Sequence, residues 1–480
     1  MNRKKLGLII ILIALLGLIW IIWLSTQAEP IPDYATPSSS SESKPESESK
    51  SKFESELESP PIVLAGQEND FNEDAAFTLL TTLANDYEGR MAGTKKNQEV
   101  VELISEEFEA IGLQAPSGGY QQGFQAMVPI FGETFILEVK DPNGEIIKSY
   151  QLRKDFAFGS SYYAGGGHVE SPFREIKRAA DVVDQLIILH PDGVRLPHQQ
   201  KNFLEKKVRA VIAPTSNPKR GDEFEYVIKG ASIREPANKQ GETLILGYVT
   251  PDVYEELLNF SEQGYRLHIV NDLSFETVIL NNVVGMIPGT DPSLPALVIS
   301  GHLDHVGSDP DGVIFPGALD NASGTSMVVQ LARSMAVKAE RPKRTLVFAA
   351  FNGEEVGLLG SIDFLQNPPI DPPYEVINFD MVGTDPSYPL SMDGVANNSR
   401  LLDELLDSAK EWDLPTDAST TGKYASDHLP FLQSGYNAFT IIQLDMQRIH
   451  TPDDDPSDIH LNQFDKIGEM MEDFLTAYAY

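Results

Sequence analysis

Cysteine is absent from all 480 residues. That one absence removes disulfide frameworks, thiolate zinc fingers, iron–sulfur clusters and cysteine nucleophiles together. Any metal in this chain must be held by His, Asp and Glu. Basic residues are scarce as well: 37 Lys plus Arg face 71 Asp plus Glu, a formal charge of −34. A nucleic-acid partner requires cationic surface that releases counterions from phosphates, so no nucleic acid is expected. What the chain does have is an ordinary globular core supply, 41% hydrophobic. Its length accommodates two folded domains at about 100–200 residues each.

Long apolar runs are also missing, with one exception. Arg3, Lys4 and Lys5 precede an uncharged stretch from Leu6 to Leu24. At helical rise it comes close to the roughly 30 Å of a bilayer core, and the cationic flank favours an inside N-terminus. Residues 1–28 are therefore expected to be a membrane anchor or, with Thr26-Gln27-Ala28 as the cleavage site, a signal segment. The catalytic part would then stand outside the cell, single-pass at the membrane, or be secreted if the segment is cleaved. Residues 29–68 turn to Ser, Glu, Lys and Pro. Such a stretch buries too little surface to offset its ordering entropy and reads as a disordered stalk.

Beyond the stalk, helical spacing appears over Phe71–Asn85 and Gln98–Ile111 and strand alternation near Phe135–Val139. An α/β stretch follows between 185 and 260. From Thr277 onward, strands at Thr277–Met286, Ala296–Ser300, Thr345–Phe351, Glu375–Phe379 and Ala438–Ile442 alternate with helices. The expected class is α/β: a mixed, largely parallel sheet with helices on both faces, plus a smaller inserted domain and an N-terminal membrane helix. The main domain is expected over 69–130 and 276–480, with the insert over 131–275.

Ligands of such sheets gather at the carboxyl ends of the strands, and the strand ends here are rich in ligating residues. Ala296–Ser300 runs into Gly301-His302-Leu303-Asp304-His305, Thr345–Phe351 into Asn352-Gly353-Glu354-Glu355, and Glu375–Phe379 into Asp380. Asp320 precedes a helix, and His450 lies in the loop after the last strand. With Asp320 bridging, His302, Asp320, Glu355, Asp380 and His450 give two metals three protein ligands each and a shared water. Three ligands plus an exchangeable water is the catalytic zinc pattern. Two zinc ions per chain are expected, although cobalt or manganese suit the same nitrogen and carboxylate donors. Asp304 is placed to orient the His302 ring, and Glu354, beside Glu355, to act as general base.

The stretches GHLDHVG (301–307), PGALDNASG (316–324), NGEEVGLLGS (352–361), NFDMVG (378–383), YASDHLPF (424–431) and IHTPDDD (449–455) resemble the di-zinc aminopeptidase family. Its relatives include glutamate carboxypeptidase, the transferrin receptor and glutaminyl cyclase. YEGRMAGT (87–94) and NNVVGMIPG (281–289) also resemble it. The resemblance implies a di-zinc exopeptidase fold, with His302, Asp320 and Asp380 on one zinc and Asp320, Glu355 and His450 on the other. It implies that Glu354 and Asp304 are the catalytic pair and that Tyr424 helps the oxyanion. Residues 165–275 are similar to the protease-associated domain inserted in this family.

Each motif alone has a plainer meaning. His-x-Asp is usually a hydrogen-bonded pair, Glu-Glu a solvated face, and Asp-Asn-Ala-Ser-Gly an N-cap. Only their coincidence at successive strand ends carries chemistry. His305 and His428 are read as structural, and His168, His190, His198 and His268 in the insert are given no chemistry. The glycosylation sequon at Asn321 is dismissed because it falls inside the metal site. The expected function is an extracellular metal-dependent aminopeptidase acting on peptides. The alternatives are a carboxypeptidase or glutaminyl cyclase-like relative, or a receptor-like binding protein without activity.

Overall fold

The computed structural model describes residues 71–159, 164–191, 199–215, 243–394, 399–419, 424–445 and 447–480. The expected membrane segment and stalk lie outside the described residues. Among the described residues no helix is long and apolar enough to cross a membrane.

The described residues from Phe71 onward form one compact unit around a mixed sheet flanked by helices. Four strands at its heart run parallel in the order Asn437–Ile442, Tyr374–Asp380, Ala296–His302 and Leu346–Phe351. Ala296–His302 and Leu346–Phe351 are buried at every position, as parallel strands covered on both faces must be. On one face pack the helices Glu73–Asn85, Lys95–Ile111, Gly324–Ala336, Arg400–Glu411 and Leu461–Ala479, which share a core containing Leu80, Ile104, Phe348, Phe379 and Phe464. On the other, Leu359–Gln366 and His428–Gln433 pack Phe364 and Phe431 against Phe351 and Tyr374.

Local chemistry sets the helix ends. Asn72 and Thr94 accept the N–H groups of Ala75 and Asn97 as N-caps. The helix over Lys95–Ile111 stops at Gly112, whose φ of 83° is the left-handed conformation that glycine adopts without a steric penalty.

Two strands are far longer than the sequence pattern indicates. The strand expected to start at Thr277 starts at Arg266 and runs to Ile287. It pairs antiparallel with Gln121–Lys140, from Gln121 opposite Val283 to Lys140 opposite Arg266. The expected boundaries between main domain and insert thus fall inside an unbroken ribbon, near a bulge between Phe131 and Phe135. There Asp272 Oδ2 accepts the N–H groups of Glu133 and Thr134 at 3.1 and 3.3 Å.

The ribbon's inner end joins the main sheet through Leu346–Phe351. Its outer end joins Gly167–Glu175, which leads to Ile187–Leu189, Ala210–Pro214, Ile245–Val249 and Phe156–Phe158. This outer sheet has cores of its own, one around Phe158, Ile212 and Leu267 and another around Phe203, Val211 and Leu246. Short strands at Leu390–Asp393 and Thr416–Ser419 close the main sheet's far edge.

The sheet reverses its winding at the Ala296–His302 strand. The chain passes from there to Leu346–Phe351 on one side and then crosses to Tyr374–Asp380 on the other. Such a reversal opens a crevice at the carboxyl ends of the two strands it separates. Those ends are His302 and Asp380.

Close backbone approach at this crevice requires a glycine. A Cβ on Gly324 would lie 2.4 Å from the Phe379 carbonyl and 2.3 Å from Asn321 Oδ1. Gly324→Ala should therefore cost about 1–3 kcal/mol by forcing strand and helix apart. The urea midpoint measures this, and a midpoint equal to wild type would contradict the packing described.

Candidate metal centre

The crevice gathers every predicted ligand. His302 Nε2 lies 3.4 Å from Asp320 Oδ1 and 3.5 Å from Asp380 Oδ1. His450 Nε2 lies 3.1 Å from Asp320 Oδ2 and 3.0 Å from Glu355 Oε2. Asp320 thus divides its two oxygens between two histidine–carboxylate groups. All five side chains are buried.

The local sequence explains how they are held. Asp320 sits between Gly317 and the helix that starts at Gly324, with non-helical φ and ψ of −108° and 90°. It is not part of an ordinary N-cap, since no side chain caps that helix. Asn321 fixes the neighbouring turn: its Nδ2 donates to the Phe379 carbonyl at 2.8 Å, and its Oδ1 accepts from Gly324 and Met381. Fully buried and bonded through both ends of its amide, Asn321 has no room for a glycan. His450 itself has a φ of 56°, a left-handed conformation that costs a non-glycine residue on the order of 1–3 kcal/mol.

Asp304 plays a different part from the expected one. The His302 Nδ1 atom is 3.2 Å from the Asp304 main-chain carbonyl and 3.9 Å from its carboxylate. That carboxylate instead accepts the N–H groups of Gly353, Glu354 and Glu355 at 2.9, 3.1 and 3.3 Å. It therefore shapes the turn carrying both glutamates. Within that turn Glu355 reaches His450, while half-buried Glu354 lies in the field of His302, Glu355, Asp427 and Asp380.

Four residues that the sequence reading did not assign to the site also belong to it. His305, expected to be structural, places Nδ1 3.1 Å from Glu355 Oε1 and 3.9 Å from Asp320 Oδ2, with its ring edge-on to His450. Arg90, fully buried, donates to the carbonyls of Leu303, Pro316 and Gly317 at 3.0, 2.6 and 2.7 Å, tying together the two loops that carry His302 and Asp320. Asp454 accepts the N–H groups of Leu319 and Asp320 at 2.6 and 3.0 Å, which joins the His450 loop to the Asp320 turn. Asp427, buried, accepts from the Ser361 hydroxyl at 2.5 Å. The signal for Arg90 and Asp454 was their place inside family-like motifs, YEGRMAGT and IHTPDDD. His428 does behave as a packing residue: it is buried against Gly394, and burial lowers it to about 4, so it is neutral. The Tyr424 N–H donates to Asp393 Oδ2 at 2.8 Å.

The electrostatics are dominated by burial. It pushes Asp304 and Asp454 up to about 6 and Asp427 to about 7, raises Glu354 well above the usual carboxylate range, and lowers Arg90 to about 10. For His450, burial opposes the charge, but Glu355 and Asp320 outweigh it and raise the imidazole to about 10. For Glu355, His450 likewise overcomes burial and holds the carboxyl at about 2. The neighbouring carboxylates thus raise the proton affinity of both His450 and His302.

The donor set fits metal ions. Asp380 Oδ1 is buried without a hydrogen-bond partner and faces the Nε2 of His302 across 3.5 Å. Nitrogen and carboxylate donors without thiolate suit zinc. A divalent ion in each group would replace the imidazolium proton there, because histidine ligates as the neutral ring. Adding zinc to metal-free protein at pH 8 should then release protons, roughly one from each of His302 and His450. Calorimetry in buffers of different ionisation enthalpy reads this directly, and a signal independent of buffer would contradict it.

Residues 282–475 match peptidase family M28. Aminopeptidase YwaD of Bacillus subtilis is 29% identical over 219 residues, which is 43% of this chain and 46% of that protein. The match therefore spans less than half of that curated relative. Among solved structures, the aminopeptidase of Aneurinibacillus sp. strain AM-1 superposes with a TM-score of 0.65 at 18% identity, covering 85% of this chain and 94% of that one. BSAP, a zinc aminopeptidase of Bacillus subtilis, gives 0.63 at 19% identity, covering 86% and 97%. These two likenesses show a shared fold. The match to peptidase family M28 over residues 282–475 contains the strand-end motifs from His302 to His450 and agrees with the di-zinc aminopeptidase resemblance.

Proposed function

We propose that this protein is an extracellular, membrane-tethered zinc aminopeptidase that removes residues from the N-termini of peptides. The observation that carries the reading is the division of Asp320 between His302 with Asp380 on one side and His450 with Glu355 on the other. Two zinc ions held there would lower the pKa of a water and polarise a substrate carbonyl.

The chain's own residues supply the rest. Glu354 is the proton acceptor, because its carboxyl stands beside the ligands without belonging to either histidine group, and burial raises its proton affinity. It takes the proton of the attacking water and returns it to the leaving amine. Asp304 holds the turn that carries Glu354, and Tyr424 is read as the oxyanion donor. The outer sheet is read as the inserted, protease-associated-like domain, walling one side of the crevice. The surplus of buried carboxylates attracts a protonated α-amine and repels a substrate carboxylate, which favours exopeptidase action from the N-terminus. The N-terminal segment is read as the tether.

Glu354→Gln keeps the shape and removes the acceptor. It should lower turnover by roughly 10²–10⁴-fold with metal content unchanged. A short peptide should lose residues one at a time from its N-terminus while its N-acetylated twin resists. Equal cleavage of both, or full activity of Glu354→Gln, would overturn the assignment.

A further inference from the structure

The outer sheet carries a histidine pair that the peptidase centre does not use. His268 lies on the middle of three adjacent strands, opposite Glu138 on one neighbour and Glu170 on the other, with His168 two pairs further along, opposite Val270. His268 Nδ1 is 3.1 Å from Glu138 Oε2, and His268 Nε2 is 3.1 Å from His168 Nε2. The rings meet edge to face at 5.0 Å. The opposite face of the same strands, at Leu137, Val169, Leu267 and Ile269, is buried in a core, so backbone and packing hold the pair on rigid elements.

The hydrogen-bond chemistry is directional. With the Nδ1–H of His268 donating to Glu138, its Nε2 carries a lone pair. A carboxylate behind an imidazole is the arrangement that fixes metal-binding histidines in the correct tautomer. The Nε2 of His168 then bridges to that lone pair through one proton.

The spacing matches metal geometry. Two nitrogens each at about 2.0–2.1 Å from one ion sit about 3.3 Å apart in a tetrahedral site and about 2.9 Å apart at a right angle. The observed 3.1 Å falls between them. His168 is exposed, and the His268 side chain is 13% exposed, so water can complete the coordination. Glu170 is not available as a third ligand, because Lys140 and Arg266 occupy its two oxygens.

We propose that His168 and His268, backed by Glu138, form a second metal site that binds a divalent ion favouring imidazole, such as zinc or copper. On binding, the shared Nε2 proton leaves to solvent and both lone pairs bond to the ion. With two protein ligands and open water positions, the site exchanges its ion readily, and it clips the strand Gly167–Glu175 to Arg266–Ile287.

The test uses full-length protein whose tight metal positions are already filled with zinc, then dialysed against micromolar zinc. Wild type should hold one ion per chain more than either His168→Gln or His268→Ala. Glu138→Gln should bind that ion about 10–100-fold more weakly. Magnesium should not compete, since it prefers oxygen donors. Equal zinc content in wild type and both histidine variants would overturn the proposal and identify the pair as a hydrogen bond only. Because neither histidine belongs to the peptidase centre, that result would leave the proposed function standing.

Discussion

The crevice depends on one constraint, which is negative charge withdrawn from water. Asp304, Asp320, Glu355, Asp380, Asp427 and Asp454 are buried together, with Glu354 half-buried beside them. Arg90 is the fixed cation set among them, in the field of Asp454, Asp320, Asp304 and Glu355. Burying an uncompensated carboxylate costs several kcal/mol. Some of these groups are satisfied by N–H donors, as Asp304 and Asp454 are. Others are not, and they raise the proton affinity of His302 and His450. Ions of charge two relieve the same deficit while leaving the imidazoles free to ligate.

That constraint explains the surrounding architecture. The strand order places His302 and Asp380 on either side of the winding reversal, so backbone geometry alone sets the two side chains across one gap. Everything else then braces the loops that bring the remaining ligands in. Arg90 binds the carbonyls of two loops, Asp454 grips the Asp320 turn from the His450 loop, and Asp304 folds the turn of Glu354 and Glu355. These are hydrogen bonds from charged groups to main chain, which place a ligand without competing for the metal.

His302, Glu355 and Asp380 were legible in the sequence because each follows a short apolar strand, and strand ends of a parallel sheet converge; Asp320 and His450 were legible through the motifs around them. The helices were legible through their periodicity and caps. The bracing was not, since Arg90 meets Pro316 across a span of sequence that no local pattern connects. His305 looked structural because a histidine three residues after His302 says nothing about where a loop will turn it. The length of the strand Arg266–Ile287 was equally hidden. Its first half is extended because Gln121–Lys140 and Gly167–Glu175 pair along it, and cross-strand partners leave a weaker trace in sequence than helical spacing. The same non-local pairing brought His168 to His268, two residues without a motif.

The central claim is that this buried charge is balanced by two divalent ions sharing Asp320. Elemental analysis of the purified protein after dialysis into metal-free buffer tests it most directly, with Asp320→Ala as the comparison. The account predicts close to two tightly held zinc-like ions per chain in the wild type and their loss in Asp320→Ala. Folded wild-type protein that retains no ion, or an Asp320→Ala variant that retains both, would contradict it.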